Sequence, residues 1–109
     1  MYSKDGNEEL EKIVSKVRQK VTRHFFQIKQ SLEFGAYIAP QDYFVSYIFK
    51  TDKDLEKAKK SGLLEEITNY HKSLMQKEGY PSEAIKDCVF ASIEDCEKKC
   101  KGNWYYYYK

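Results

Sequence analysis

From Glu8 to Ser31 the chain has neither glycine nor proline, and Leu10, Val14, Val17, Val21, His24 and Ile28 recur at spacings of three and four. Positions so spaced share one face of an α-helix, so this stretch reads as an amphipathic helix, with Ile13, Phe25 and Leu32 widening its apolar stripe. Glu8, Glu9 and Glu11 fall in its first turn, where acidic groups favour the helix dipole. At a rise of 1.5 Å per residue the segment would span roughly 36 Å, more than a domain of this size covers, so part of the stripe is expected to be left for a partner.

The period then changes from helical to alternating. Phe34 to Ala39, around Gly35, reads as a short extended stretch, Pro40-Gln41-Asp42 as a turn and Tyr43 to Phe49 as a strand, together a hairpin. In the second strand Tyr43, Val45, Tyr47 and Phe49 point one way and Phe44, Ser46 and Ile48 the other. Both faces are largely apolar, so each needs a cover or is an interface. Thr51-Asp52-Lys53-Asp54 has the form of a capping box with aspartate at its last position, and it opens a second helix that Ser61-Gly62 kinks or divides. Beyond it Leu63, Ile67, Tyr70 and Leu74 make a buried stripe, edged by Leu64, His71 and Met75, until Gly79-Tyr80-Pro81 ends the helix. Cys88 to Ile93 reads as a third strand, Glu94 to Lys101 as a short helix ended by Gly102, and Asn103 to Tyr108 as a fourth strand. The expected architecture is α+β in the order α-β-β-α-β-β: an antiparallel sheet of three to four strands with two long helices on one face. One domain is expected over residues 1–109, with 1–7 as a flexible N-terminus.

Composition narrows the function classes. A chain of 109 residues, 41% hydrophobic and 33% charged, can bury roughly two-thirds of its surface around a single core. Its first dozen residues lack an apolar segment and no run approaches the ~20 apolar residues of a membrane span, so a cytoplasmic protein without membrane contact is expected. Three cysteines cannot all pair, which favours reduced thiols. Cys96 and Cys100 are four apart, but only Cys88 or His71 would complete a tetrahedral set, so neither metal nor any other cofactor is expected.

The net charge of +2 is small for a protein devoted to nucleic acid. Lys12, Lys16, Lys20 and Arg23 share one side of the first helix, a pattern that usually means a solvated face, so nucleic acid is not expected as a partner. Of the two histidines, His24 falls on the apolar stripe, as a hydrogen-bonded core residue would, and His71 at a stripe edge within reach of solvent. No nucleophile motif, phosphate loop or pair of acids accompanies them, and the reading leans away from an enzyme.

Aromatic residues make up 16% of the chain and ten of them are tyrosines, side chains suited to half-buried faces and interfaces. The candidate contact residues are Tyr43, Tyr47, Trp104, Tyr105, Tyr106, Tyr107 and Tyr108. In a strand, Trp104, Tyr106 and Tyr108 would share one face, and Tyr105 and Tyr107 the other. Taken in order, Asp42 to Thr51, Gly79-Tyr80-Pro81 and Gly102-Asn103-Trp104-Tyr105-Tyr106 resemble small bacterial proteins that end in a Gly-Asn-Trp-Tyr strand, some of them carried on mobile integron gene cassettes. The resemblance implies a bacterial origin and brings no established activity with it. The function expected is that of a non-enzymatic protein-interaction module, a homodimer joined through an aromatic sheet face or the spare stripe of the first helix. The alternative is a small-ligand-binding domain, its pocket between helices and sheet walled by Phe44, Tyr47, Phe90, Trp104 and Tyr106.

Overall fold

The alternating segment ending at Phe49 builds the central strand of a three-stranded sheet, and everything else is arranged on its two faces. The computed structural model describes residues 4–35 and 43–108. Helix α1 (Lys4–His24) leads through a turn into β1 (Gln30–Phe34), which precedes β2 (Phe44–Phe49). Helices α2 (Asp52–Ser61) and α3 (Leu63–Lys77) follow, then a 3-10 turn at Ser82–Ala84, β3 (Val89–Ser92), α4 (Ile93–Cys100) and α5 (Trp104–Tyr107). The fold is α+β as expected, but its order is α-β-β-α-α-β-α-α. The expected extended residues 36–39 and turn 40–42 lie outside the described residues. Of the expected flexible terminus, residues 4–7 are helical and 1–3 lie outside the described residues.

The sheet is mixed rather than antiparallel. Its order is β1-β2-β3, with β1 antiparallel to β2 and β3 parallel to it. Parallel strands need a connection long enough to carry the chain back to its starting edge, and here α2, α3 and the segment up to Cys88 provide it. The sequence divides α2 from α3 where Gly62 adopts a left-handed conformation (φ 85°), which spares a side chain the steric cost of that turn.

Parallel pairing places the ends of β2 and β3 side by side, Phe49 opposite Ser92, and a helix starts directly from each. The two helix N-termini are bonded to one another. Thr51 Oγ1 accepts from the Asp54 amide at 3.0 Å and Ser92 Oγ from the Asp95 amide at 3.0 Å, each hydroxyl satisfying its own helix. Across the junction Glu94 Oε1 accepts from the Asp52 amide at 2.9 Å, while Ser92 donates its hydroxyl proton to the Asp52 carboxylate. The Ser92 bond, followed by Lys98 at 3.2 Å, holds the Asp52 carboxyl below the usual carboxylate range. Ser92 is fully buried and serves both helices. Its change to alanine is expected to cost about 2 kcal/mol in denaturant unfolding, more than one lost cap, because the paired Asp52 carboxylate loses its donor too.

Helix α1 ends at His24, seven residues before the expected limit. Its stripe is as read up to Val21, with Leu10, Val14, Val17 and Val21 all buried, but Phe25 rather than His24 carries it on. Beyond that point the Ile28 amide turns back to the Phe25 carbonyl at 3.1 Å and the Lys29 amide donates to Ile48 O at 2.8 Å, opening the β1 ladder. No glycine or proline marks this stop; pairing with β2 outweighs continued helix. The stripe packs on α3 and on the sheet face carrying Val45, Tyr47 and Phe49, so the expected spare stripe of the first helix is consumed by the protein's own core.

The opposite sheet face is covered as well. Ile48 and Ala91 on it are 0% and 1% exposed, and α5 folds back so that Tyr108 packs on Phe34 and Phe44 at ring separations of 5.1 and 5.7 Å. The expected fourth strand is thus a short helix. Lys101 and Gly102 take left-handed conformations that end α4, and Asn103 Oδ1 then accepts from the Tyr106 amide at 3.2 Å, starting a new turn. A run of aromatic residues has no polar alternation to mark it as strand or helix, so the caps decide.

Candidate functional site

Helical spacing sorts the C-terminal aromatics differently from strand spacing. Trp104, Tyr107 and Tyr108, related by three and four positions, turn toward the protein, while Tyr105 and Tyr106 are 69% and 58% exposed. The inner three form a ring cluster, with Trp104 5.2 Å from Tyr107 and 6.2 Å from Tyr108. The Tyr107 hydroxyl donates to Asp95 and the Tyr108 hydroxyl shares a hydrogen bond with buried Ser46. Burial first, and then the Asp95 carboxylate, raises the Tyr107 phenol, and burial raises that of Tyr108, so both stay protonated. Lys99 lies 3.2 Å from Asp95 and 6.0 Å from the Tyr107 ring centroid, bracing the same anchor. On the outer side Tyr105 and Tyr106 meet edge to face at 5.5 Å. The expected grouping of Trp104, Tyr106 and Tyr108 is therefore replaced by an anchored trio and an exposed pair.

Tyr43 and Tyr47 belong to the core, not to a contact surface. Tyr47 is wholly buried and its hydroxyl shares a 2.8 Å hydrogen bond with Nδ1 of His71, itself 2% exposed rather than within reach of solvent. Burial pushes the His71 imidazole down to about 4 and the Tyr47 phenol well above its ordinary value, so at neutral pH the pair is uncharged. His24, expected in the core, is exposed and stacks on Tyr70 at 4.3 Å. The cavity beside His71, reached by Tyr43, Val14 and Met75, measures about 10 Å³, room for roughly one water. The expected ligand pocket does not form, because Tyr47 and Phe90 face the long helices while Phe44 packs under Tyr108 on the other side and Tyr106 points outward.

The three cysteines are free thiols. Burial pushes Cys88 up to about 11 and also raises Cys96, so neither is a thiolate at neutral pH. Among the described residues no three metal-ligating side chains come together and no helix is long and apolar enough to cross a membrane. Two members of the basic side of α1 are paired: Lys16 and Lys20 reach Glu78 at 3.0 and 3.3 Å. That pairing ties α1 to the end of α3 and reduces the free charge a nucleic acid would meet. At the paired helix N-termini, where an anion would otherwise be favoured, the chain's own Glu94 carboxylate takes the Asp52 amide and the Thr51 and Ser92 hydroxyls take those of Asp54 and Asp95.

A cleft of about 400 Å³ is lined by none of the contact candidates read from the sequence. Its floor includes Phe49 and Ala58, and its sides include Phe26, from the turn after α1, and Leu63, from the start of α3. Phe26 carries no signal of its own in the sequence, since a helix running to Ser31 places it off the apolar stripe. A scan of protein-family models, a search of curated proteins and a search of solved structures each found no match to this chain.

Proposed function

We propose that the protein is a non-enzymatic interaction module that self-associates through the Tyr105–Tyr106 pair of α5. What carries this reading is the contrast within one short helix. Three aromatics are locked to the body by packing and by bonds to Asp95 and Ser46, so the two that project do so from a fixed base. A rigid, amphipathic tyrosine surface loses little entropy on contact, and tyrosine is among the side chains that dominate interface energetics. The occupant proposed is a second copy of the chain, because edge-to-face tyrosine pairs meet one another well across a two-fold axis, where the same patch serves both partners. The neutral Tyr47–His71 pair and the protonated buried thiols support a role without covalent chemistry. Within this proposal the chain is a cytoplasmic bacterial protein of the cassette-carried kind, and the Gly102 to Tyr106 run that bears that resemblance is also its contact segment.

Light scattering across a concentration series tests the reading. The wild type is expected at twice the chain mass, and Tyr105→Glu or Tyr106→Glu at the monomer mass with an unchanged far-ultraviolet spectrum. A wild type that stays monomeric at its highest soluble concentration, or a dimer indifferent to both substitutions, would refute it.

A further inference from the structure

We infer that the cleft between the turn following α1 and helix α2 is a binding site for a small aromatic acid, one or two fused rings bearing a carboxylate. Its volume of about 400 Å³ falls in the range of roughly 300–1,000 Å³ typical of small-molecule sites. The floor is preformed, since Phe49 and Ala58 are 1% and 4% exposed and held by the core. One wall is not yet covered. Phe26 is 81% exposed, although the turn that carries it is hydrogen-bonded at both ends, through Phe25 N to Val21 O at 3.2 Å and Ile28 N to Phe25 O at 3.1 Å. An apolar ring lying between Phe26 and the partly exposed Leu63, above that closed floor, would cover the Phe26 face without moving the backbone.

The rim supplies the polar specificity. Lys29 and Lys57 both line the cleft, and among the described residues neither has a carboxylate within ion-pairing distance, unlike Lys16, Lys20, Lys72 and Lys98. Asp54 is the one acid in the lining, so the site carries a net single positive charge from two lysines and one aspartate. An anion with an apolar body matches both the Phe26 wall and the rim. The site does not touch Tyr105 or Tyr106, and its occupancy is independent of self-association.

The test is an NMR titration of the full chain with 1-naphthoate and, separately, with 1-naphthamide, which has the same ring system without the charge. Naphthoate is expected to saturate with shifts centred on Phe26, Lys29 and Ala58, and to bind about tenfold more tightly than the amide. The double variant Lys29→Gln/Lys57→Gln should remove that preference, and Asp54→Asn should tighten naphthoate binding. Ser61→Trp places a bulky ring in the cleft from an exposed position and should abolish binding of both probes while the folded spectrum is retained. Absence of saturable shifts in the wild type, equal affinity for acid and amide, weakening by Asp54→Asn, or binding that survives Ser61→Trp would each overturn the assignment.

Discussion

Acidification from pH 6.5 toward 4 is expected to remove about 3 kcal/mol of stability through one buried side chain, His71. The unfolded chain takes up a proton on this imidazole near its ordinary value of 6.5, whereas the folded protein holds it neutral down to about 4 because burial penalises the charged ring. Between those values the unfolded state binds more protons. The stabilisation is therefore complete above pH 6.5 and is lost progressively as pH falls toward 4. The carboxylates of Asp52, Glu78 and Asp95, held low by bonds from Ser92, Lys16 and Tyr107 respectively, add their own losses only below the ordinary carboxylate range. Urea unfolding at a series of pH values should show the decline, and His71→Phe, less stable at neutral pH because the Tyr47 hydroxyl loses its partner, should flatten the curve above pH 4.5. A wild-type curve already flat there, or a variant that keeps the slope, would assign the acid sensitivity elsewhere.

Tyr108→Ala is expected to cost about 3 kcal/mol, and Trp104→Ala only about 1 kcal/mol, although tryptophan is the larger residue. Tyr108 covers Phe34 and Phe44 on the sheet face away from the long helices, and its hydroxyl is bonded to Ser46, which is 0% exposed. Removing it uncovers that face and strands a buried hydroxyl. Trp104 packs on Tyr107 and Tyr108 from outside and is only half-buried. Denaturant unfolding of both variants decides the order, with Tyr108→Phe as the control that removes the hydroxyl alone and should cost about 1 kcal/mol. Equal losses, or a larger loss at Trp104, would mean that the face is covered by something other than Tyr108.

The two proposed contact sites make different demands on the protein. Self-association uses the outer pair of α5 and depends on the inner trio to hold it, so Tyr108→Ala should loosen the dimer as well as the fold. The cleft depends on the turn after α1 and on the first helical turns beyond β2. Loss of one property without the other is the signature expected of two independent surfaces.

Local periodicity determined most of the elements. The spacing of Leu10, Val14, Val17 and Val21, the alternation from Tyr43 to Phe49, the Thr51 cap and the left-handed turn at Gly62 each specify a conformation from neighbours within a few residues, and each is found where those residues stand. The need to cover both faces of β2 was equally legible, because Tyr43, Val45, Tyr47 and Phe49 on one side and Phe44 and Ile48 on the other leave no polar side to solvate. What covers them was not. The parallel pairing of β3 depends on where a long helical connection returns the chain, and the end of α1 at His24 on a backbone bond to Ile48, both contacts between residues distant in sequence. The aromatic tail shows the limit most sharply. Trp104 to Tyr108 fits strand or helix equally well by hydrophobic pattern, and only the Asn103 cap together with docking on Phe34, Phe44 and Ser46 makes it a helix. That choice moves Tyr107 and Tyr108 inward and leaves Tyr105 and Tyr106 outside, so the residues that can meet a partner were decided by tertiary packing, while the sequence by itself determined only that the surface would be aromatic.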